Sequence, residues 1–341
     1  MPGSDLLDLL SAALQARVGL IDEAHRSALR LFNGFYEGFP DLAVDLYART
    51  LVLQNHTAPP NLTAGSLSLA QEYYLEKLSW LNSVIVKHHK AEDPAAQRGI
   101  PVYGQQPDGQ VQEERVWYAV DLRLNRDSSL YLDTRGLRTW AKQNLSGAHV
   151  LNTFAYTGSL GVAALAGGAA RVIQLDRSRT FLNLAKKSYT LNGFPVKKGD
   201  FMVSDFFTGV ARLKSSGQLF DCVFVDPPLF SVTPRGTIDM LGESHRIINK
   251  VRPLVANNGL LVAINNALYL SGREYMQMLE GLSASGYLSI EDLVSIPPDF
   301  TGYTQTIRST PPVDPSPFNH PTKIAILRVR RKDAAVPSIP G

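Results

Sequence analysis

Polar, glycine-containing and aromatic residues follow a series of apolar runs between residues 150 and 231, and their types suit the binding of a small molecule. The runs read VLNTF, RVIQL and FDCVFV, and they are followed by AYTGSLG, DRS and DPPLFS. Parallel strands buried on both faces have this appearance, and ligands bind beyond the carboxyl ends of such strands. The chemistry of this chain is therefore expected in the loops that follow its strands.

The first two of these strand tips predict a nucleoside site. In the tip Tyr156-Thr157-Gly158, the glycine permits close approach of the backbone to a ligand. Asp176 follows after about 20 residues, the separation at which nucleotide sites place an acid against the ribose hydroxyls. The alternatives are a tight strand-to-helix turn at Gly158 and a helix cap at Asp176, although Ser178 suits the capping role as well.

The first turn also indicates which nucleoside is bound. Residues 152–158 read NTFAYTG, so the fingerprint G-x-G-x-x-G of dinucleotide sites is missing, and no G-K-[ST] phosphate loop occurs in the chain. A diphosphate ligand is therefore not expected. S-adenosyl-L-methionine carries a ribose and an adenine without phosphate, so it is the predicted cofactor.

Two further tips are predicted to hold the adenine and the methyl acceptor. Asp205 is expected to accept a hydrogen bond from the adenine amine, and Phe206 to stack on its ring. Asp226 is followed by Pro227 and Pro228, which fix the backbone and remove two donors, so this tip forms a rigid wall beside the transferable methyl group. Asp226 is expected to orient the acceptor and Phe230 to stack on a base. The alternative for this tip is a purely structural strand end.

The elements that must position these tips alternate strand and helix from residue 150 onwards, which indicates a doubly wound α/β sheet. The predicted fold is a Rossmann-like, seven-stranded sheet. Its strands are predicted at residues 150–154, 171–175, 199–204, 220–225, 260–264, 287–296 and 322–330.

Residues 1–112 predict a smaller α+β domain with a possible role in substrate recognition. Residues 5–30 and 66–90 have helical spacing of apolar residues, and residues 30–56 alternate like short strands. The segment 91–112 is rich in Asp, Pro, Gln and Gly, which favours a domain boundary there. Residues 113–332 are then the catalytic domain, and residues 333–341 a flexible tail.

The composition excludes some classes of protein. The 341 residues carry a net charge of +3, which is compatible with nucleic acid without requiring it. The single cysteine, Cys222, excludes an intramolecular disulfide and a zinc site with several cysteines, and no metal is expected. No apolar run approaches the ~20 residues of a membrane span, and no signal peptide is recognisable, so a cytoplasmic enzyme is expected.

Five motifs resemble the class I methyltransferases that modify large-subunit ribosomal RNA. They lie at residues 133–138, 152–158, 176–180, 191–193 and 226–231. The resemblance covers residues 117–331 and implies an RNA partner. To the expected cofactor contacts it adds Asn152, Phe154, Arg177, Ser178 and Asp226. The expected substrate contacts are Arg135, Arg138, Ser231, Asn265 and Asn266.

For these substrate residues, alternatives stay open. The arginines also suit a solvated surface, and the two asparagines also suit loop capping. Residues 30–54 resemble the small β-rich domain that precedes the catalytic domain in this family. The RNA-binding module often found at the N-terminus of its cytosine-methylating relatives is not recognisable.

The family contains two chemistries, and the sequence favours one of them. Methylation of cytosine C5 requires a cysteine that first adds to C6 of the ring, and relatives that catalyse it carry this cysteine just after the fifth strand. Residues 263–268 read AINNAL, without a cysteine, and Cys222 precedes Asp226 by roughly 13 Å of extended strand. Guanine N7 already has a lone pair and requires only positioning. Direct transfer to guanine N7 of ribosomal RNA is therefore favoured. The alternatives are a methyltransferase of a small molecule or protein, and a non-catalytic RNA-binding factor.

Overall fold

The computed structural model describes residues 3–59, 64–104, 106–228, 230–233, 236–239 and 242–332, except for the side chains of residues 3–4, 230–233 and 236–239. The chain forms two compact units. The first comprises Met1–Arg135, Thr190–Gly193 and Ile296–Pro312. The second comprises Gly136–Tyr189, Phe194–Ser295 and Val313–Gly341. The predicted tail at 333–341 lies outside the described residues.

The first unit is an α+β structure. Its helices are α1 (Gly3–Arg17), α2 (Gly34–Glu37), α3 (Ala64–Lys77) and α4 (Pro94–Arg98). Its strands are β1 (Ala28–Asn33), β2 (Leu42–Tyr47), β3 (Thr50–Asn55), β4 (Ser83–His88), β5 (Ile100–Gly104), β6 (Gln110–Glu113) and β7 (Val116–Ala119). Strands β1 to β5 form one sheet in sequence order, and only β3 and β4 pair in parallel. Strands β6 and β7 form a separate hairpin.

The core of this unit lies between its sheet and its two long helices. Every residue of β2 and β3 is buried. Leu6, Leu10 and Ala13 recur at helical spacing along α1, and all three are buried in the same cluster as these strands. Burial of this stripe, at about 25 cal/mol per Å² of apolar surface, stabilises a helix that propensity alone would leave marginal.

Two features of the first unit differ from the sequence prediction. Residues 83–88 were expected to continue a helix, but they form β4, because the run SVIVKH is short, rich in β-branched residues and paired in parallel with β3. The first unit also extends past residue 112 to Arg135. Contacts within the unit hold the additional segment, including the bond from Tyr47 Oη to Leu130 O (3.0 Å) and that from Lys87 Nζ to Asn125 O (3.0 Å).

The second unit alternates strands and helices. Its strands are β8 (His149–Thr153), β9 (Arg171–Asp176), β10 (Phe201–Val203), β11 (Phe220–Val225), β12 (Phe230–Thr233), β13 (Gly236–Asp239), β14 (Val255–Asn265), β15 (Leu288–Leu293) and β16 (Lys323–Val329). Its helices are α5 (Arg135–Asn144), α6 (Ser159–Ala166), α7 (Arg179–Leu191), α8 (Phe206–Ser215), α9 (Ser244–Val251) and α10 (Gly272–Ser283). The ends of α5 and α7 belong to the first unit, and the chain returns to that unit for α11 (Pro298–Thr301).

Seven of these strands form one sheet in the order β10-β9-β8-β11-β14-β16-β15. The five strands from β10 to β14 are parallel, and β16 is antiparallel to both of its neighbours. This confirms the predicted Rossmann-like α/β fold. The strand order reverses at β8, which lies between β9 and β11. In open α/β sheets the crevice beyond such a reversal is where ligands bind.

Candidate active site

The sheet order brings the predicted strand tips to one edge. Because β10, β9, β8 and β11 are parallel neighbours, the loops that follow them leave from the same end of the sheet. These loops begin at Ser204, Arg177, Phe154 and Asp226. The topology therefore brings these four tips to one end of the sheet.

The loop after β8 is a tight backbone turn. Phe154, Tyr156 and Gly158 all have positive φ, at 54°, 51° and 78°. Two hydrogen bonds hold the turn, from Ala155 N to Leu175 O (2.9 Å) and from Gly158 N to Ala155 O (2.7 Å). A Cβ on Gly158 would lie 2.7 Å from the Cβ of Ala185. The glycine is thus required by its own backbone conformation and by close packing, in addition to any ligand.

Asp176 organises the space between the tips of β8 and β9. Its carboxylate accepts from Tyr156 N (2.8 Å) and from Ser178 N (2.7 Å). Burial raises the pKa of this carboxyl, and the two backbone donors oppose that shift. The alternative role as a helix cap falls to Ser178, whose Oγ accepts from Phe181 N (3.3 Å) in the first turn of α7. Asp176 is therefore fixed in place with acceptor capacity remaining on its two oxygens.

A buried glutamine that the sequence analysis missed holds the turn after β8. Gln174 is fully buried, and its Oε1 accepts from Asn152 Nδ2 (2.8 Å). Its Nε2 donates to the carbonyl of Gly158 (3.1 Å) and to Tyr189 Oη (3.3 Å). Asn152 is buried as well, so the predicted cofactor residue serves this network through its side chain. The only signal in the sequence was one amide within the apolar run RVIQL.

We expect Gln174→Ala to destabilise the protein and to weaken cofactor binding. The substitution removes the hydrogen-bond partner of Asn152 Nδ2 and of the Gly158 carbonyl. Each buried polar group left unpaired costs roughly 1–3 kcal/mol of unfolding free energy. Urea denaturation measures the stability, and calorimetry with S-adenosylhomocysteine measures the binding. Gln174→Met keeps most of the volume without the amide, so a Met variant as stable as the wild type would contradict the hydrogen-bond argument.

The tip after β10 differs in part from its prediction. The side chain of Asp205 caps α8 by accepting from Thr208 N (3.0 Å), and its hydrogen bonds to Thr208 lower the pKa of this carboxyl. Phe206 was expected to stack on adenine, but only 6% of it is exposed, and its ring stacks on Phe154 with the centroids 4.6 Å apart. Phe206 therefore belongs to the core, where it supports Phe154.

The tip after β11 has a half-buried Asp226, a buried Pro227 and an exposed Pro228. A small cavity of about 10 Å³ lies against Pro227 and is lined by side chains that include Ser244 and Tyr275. Burial, and then the nearby charge of Asp226, raise the pKa of Tyr275.

The chain continues from this tip into the hairpin β12–β13. The predicted base-stacking residue Phe230 and the predicted substrate residue Ser231 lie in β12, where the structure describes the backbone alone. Their assigned roles therefore stay predictions.

Two predicted substrate residues have other roles in the structure. Asn265 is fully buried, its Nδ2 donates to Ser244 Oγ (3.0 Å), and its Oδ1 accepts from Ala267 N (3.0 Å). This is the loop-capping alternative. Arg138 is 2% exposed, so its guanidinium is not available to a phosphate at the surface. Of the asparagine pair, only Asn266 has an exposed side chain.

Arg135 is also engaged away from a substrate. Its guanidinium forms an ion pair with Asp299, a fully buried residue of α11. Asp299 further accepts from Arg30 N (3.0 Å), and its backbone carbonyl accepts from Arg17 Nη2 (3.0 Å). Arg135 therefore links the ends of the first unit, which the sequence could not indicate because its partner is distant along the chain.

The residues present fit S-adenosylmethionine. A fixed carboxylate at the tip of β9 suits a ribose diol, and the tight turn at Gly158 permits close approach of a ligand to the backbone. Among the described residues, no group of three or more His, Cys, Asp or Glu side chains is placed to hold a metal ion. None of the described helices is both long and apolar enough to cross a bilayer.

Comparison with known proteins supports this assignment. The model of the S-adenosylmethionine-dependent methyltransferase family matches residues 82–304. The chain belongs to this family. This methyltransferase is 32% identical over 225 residues to ribosomal RNA large subunit methyltransferase I of Aeromonas hydrophila and 30% identical over 223 residues to that of Erwinia tasmaniensis. Both alignments cover 65% of the chain and 56% of the relative, so the methyltransferase spans little more than half the length of these proteins.

A solved structure agrees with the fold. A putative methyltransferase solved in complex with SAH superposes with a TM-score of 0.81 at 20% identity, covering 96% of this methyltransferase and 82% of the other chain. At that identity the likeness concerns the fold alone. The family match identifies S-adenosylmethionine as the cofactor.

Proposed function

We propose that the methyltransferase methylates a base of ribosomal RNA, with guanine N7 as the favoured atom. The observation that carries this proposal is the Asp226-Pro227-Pro228 tip beside the cofactor tips, in a chain similar to two ribosomal RNA methyltransferases. The proposal includes a cytoplasmic location, and recognition of the RNA by the first unit.

The preference for a ring nitrogen over cytosine C5 depends on the position of Cys222. This cysteine is fully buried within β11, near the end of the strand remote from Asp226. Burial raises the pKa of its thiol well above the usual range, so a nucleophilic thiolate is not formed there. The strand β14 ends at Asn265 and is followed by Asn266, without a cysteine. Covalent addition to a pyrimidine ring therefore has no candidate nucleophile among these residues.

Direct transfer requires the protein to position and desolvate its substrates. Bound S-adenosylmethionine supplies an electrophilic methyl group. Asp176 holds the ribose, and the turn at Gly158 fixes the cofactor against the edge of the sheet. Asp226 orients the acceptor base by a hydrogen bond, and the two following prolines keep that carboxylate from moving. The proposal assigns a contact with the RNA to Asn266, whose side chain is exposed after β14.

Transfer of a labelled methyl group into purified ribosomal RNA tests this function. The RNA is digested to nucleosides, and mass spectrometry identifies the modified one. We expect 7-methylguanosine. Formation of 5-methylcytidine would overturn the assignment of the atom, and labelling of protein or of a small molecule, without RNA, would overturn the assignment of the substrate class.

We expect Cys222→Ser to retain methyl transfer with kcat close to that of the wild type. The thiol is remote from Asp226 and is not needed for direct transfer. Placing a hydroxyl in this apolar position costs about 1–3 kcal/mol of stability, so the protein is expected to unfold at lower urea concentration. Cys222→Ala controls for the buried hydroxyl. A folded Cys222→Ala enzyme without activity would show that the thiol takes part in the reaction.

A further inference from the structure

Three aromatic rings lie together on the first unit. The imidazoles of His56 and His89 are stacked, with their centroids 4.5 Å apart and their planes 10° from parallel. Phe35 lies 5.0 Å from His56 at an angle of 58°, and 47% of it is exposed. These three rings form what we term the ring platform. An exposed phenyl group on a polar surface has no role in the core of the first unit.

Hydrogen bonds hold the His89 ring of the platform. His89 Nε2 donates to Gln54 Oε1 (2.7 Å), and Gln54 Nε2 donates to Asp45 Oδ2 (3.1 Å). Asp45 in turn is paired with Arg30 at 2.8 Å. The His89 ring is thus held in place before any ligand binds, which reduces the entropy lost on binding.

The two imidazoles are uncharged at neutral pH. Burial, and then the repulsion of His89, lower the pKa of His56 to about 3. Burial, and then the charge of Arg126, lower the pKa of His89 to about 4. Uncharged rings stack without mutual repulsion.

Cationic side chains lie beside the rings. Arg126 is exposed, and its Nη2 donates to the backbone carbonyl of His89 (3.1 Å). Lys90, the residue after His89, is exposed as well. The loop that carries Arg126 is clamped by Lys87, whose buried Nζ donates to the carbonyls of residues 125, 126 and 127 at 3.0, 3.2 and 3.0 Å. The cation of Arg126 therefore has a fixed position next to the platform.

We propose that the ring platform stacks an unpaired base of single-stranded RNA, and that Arg126 and Lys90 contact the neighbouring phosphates. Aromatic faces beside cations are the combination with which proteins hold single strands, since every base has a π-face and every nucleotide a negative charge. The inference rests on the proposed function in RNA methylation and extends it by assigning a recognition site on the first unit.

The test measures binding of the full-length protein to a fluorescein-labelled oligoadenylate of roughly ten nucleotides by fluorescence anisotropy. Phe35→Ala is expected to weaken binding roughly tenfold, the loss typical of one base stacked on an aromatic ring. Phe35→Trp is expected to restore it. Arg126→Gln is expected to reduce the slope of log Kd against log salt by about one.

Tyr103→Ala is the matched control, because Tyr103 is 45% exposed on β5 of the same unit. If Phe35→Ala binds the oligonucleotide as tightly as Tyr103→Ala while the wild type methylates ribosomal RNA, the proposed role of the ring platform is overturned and the proposed function stands. If the wild type neither binds the oligonucleotide nor methylates RNA, both are overturned. In the expected outcome Phe35→Ala also raises the KM for RNA, with kcat and S-adenosylhomocysteine binding unchanged.

Discussion

Asp226→Ala is expected to slow methyl transfer on the order of a hundredfold while S-adenosylhomocysteine still binds. The side chain lies at the tip of β11, next to the cofactor tip of β8, and two prolines hold it. Its proposed role is to align the acceptor, and a misplacement of about 1 Å costs on the order of 10²-fold in rate. Single-turnover transfer into ribosomal RNA measures the loss, and calorimetry measures the retained cofactor affinity.

Asp221→Ala is the matched control for this substitution. Asp221 belongs to the same strand but lies at its other end, where its exposed carboxylate accepts from His149 N (2.8 Å). This variant is expected to transfer methyl groups like the wild type. If Asp226→Ala transferred methyl groups as fast as Asp221→Ala, the tip after β11 would have no part in aligning the acceptor.

Asp176→Ala is expected to remove cofactor binding. The substitution deletes the acceptor for the ribose and also releases the amides of Tyr156 and Ser178 that position the turn. Hydrogen bonds to a charged group contribute roughly 1.5–3 kcal/mol each. Losing the two bonds expected from the ribose hydroxyls therefore weakens S-adenosylhomocysteine binding on the order of a hundredfold or more. Calorimetry measures the affinity.

The carboxylate should also give cofactor binding a dependence on pH. Burial raises the pKa of Asp176 in the free protein, and hydroxyl donors from a ribose favour its charged form. Affinity is therefore complete above that raised pKa and declines as the pH falls through it. Asp200→Ala, which removes the ion pair with Arg171 at the other end of β9, should leave this profile unchanged. A profile that stays flat in the acidic range would contradict an ionised Asp176 as the ribose acceptor.

The sequence predicted best what is encoded locally. Each tip follows directly from a buried strand, so Asp176 and Asp226 could be assigned to one edge of a parallel sheet before any contact was known. The helix cap at Ser178 is likewise visible as a short polar side chain before a helix.

The predictions that failed depend on partners distant in the chain. The short run SVIVKH forms β4 because β3 is available to pair with it. Arg138 and Asn265 have the composition of substrate contacts, and only tertiary structure shows that they are buried. Gln174 acquires its importance from Asn152, 22 residues earlier in the chain. Polar residues in a core cannot be told from polar residues at a site without knowing what surrounds them.

The buried Asp299 limits how the chain can be divided into parts that fold independently. It accepts hydrogen bonds from Arg135 and from the amide of Arg30, yet it is encoded more than 160 codons after the first of these. A chimera that joins residues 1–135 to a foreign catalytic domain would lack this carboxylate and leave Arg135 without its counter-ion. The first unit therefore cannot be exchanged on its own. We expect it to have been inherited together with the methyltransferase sheet.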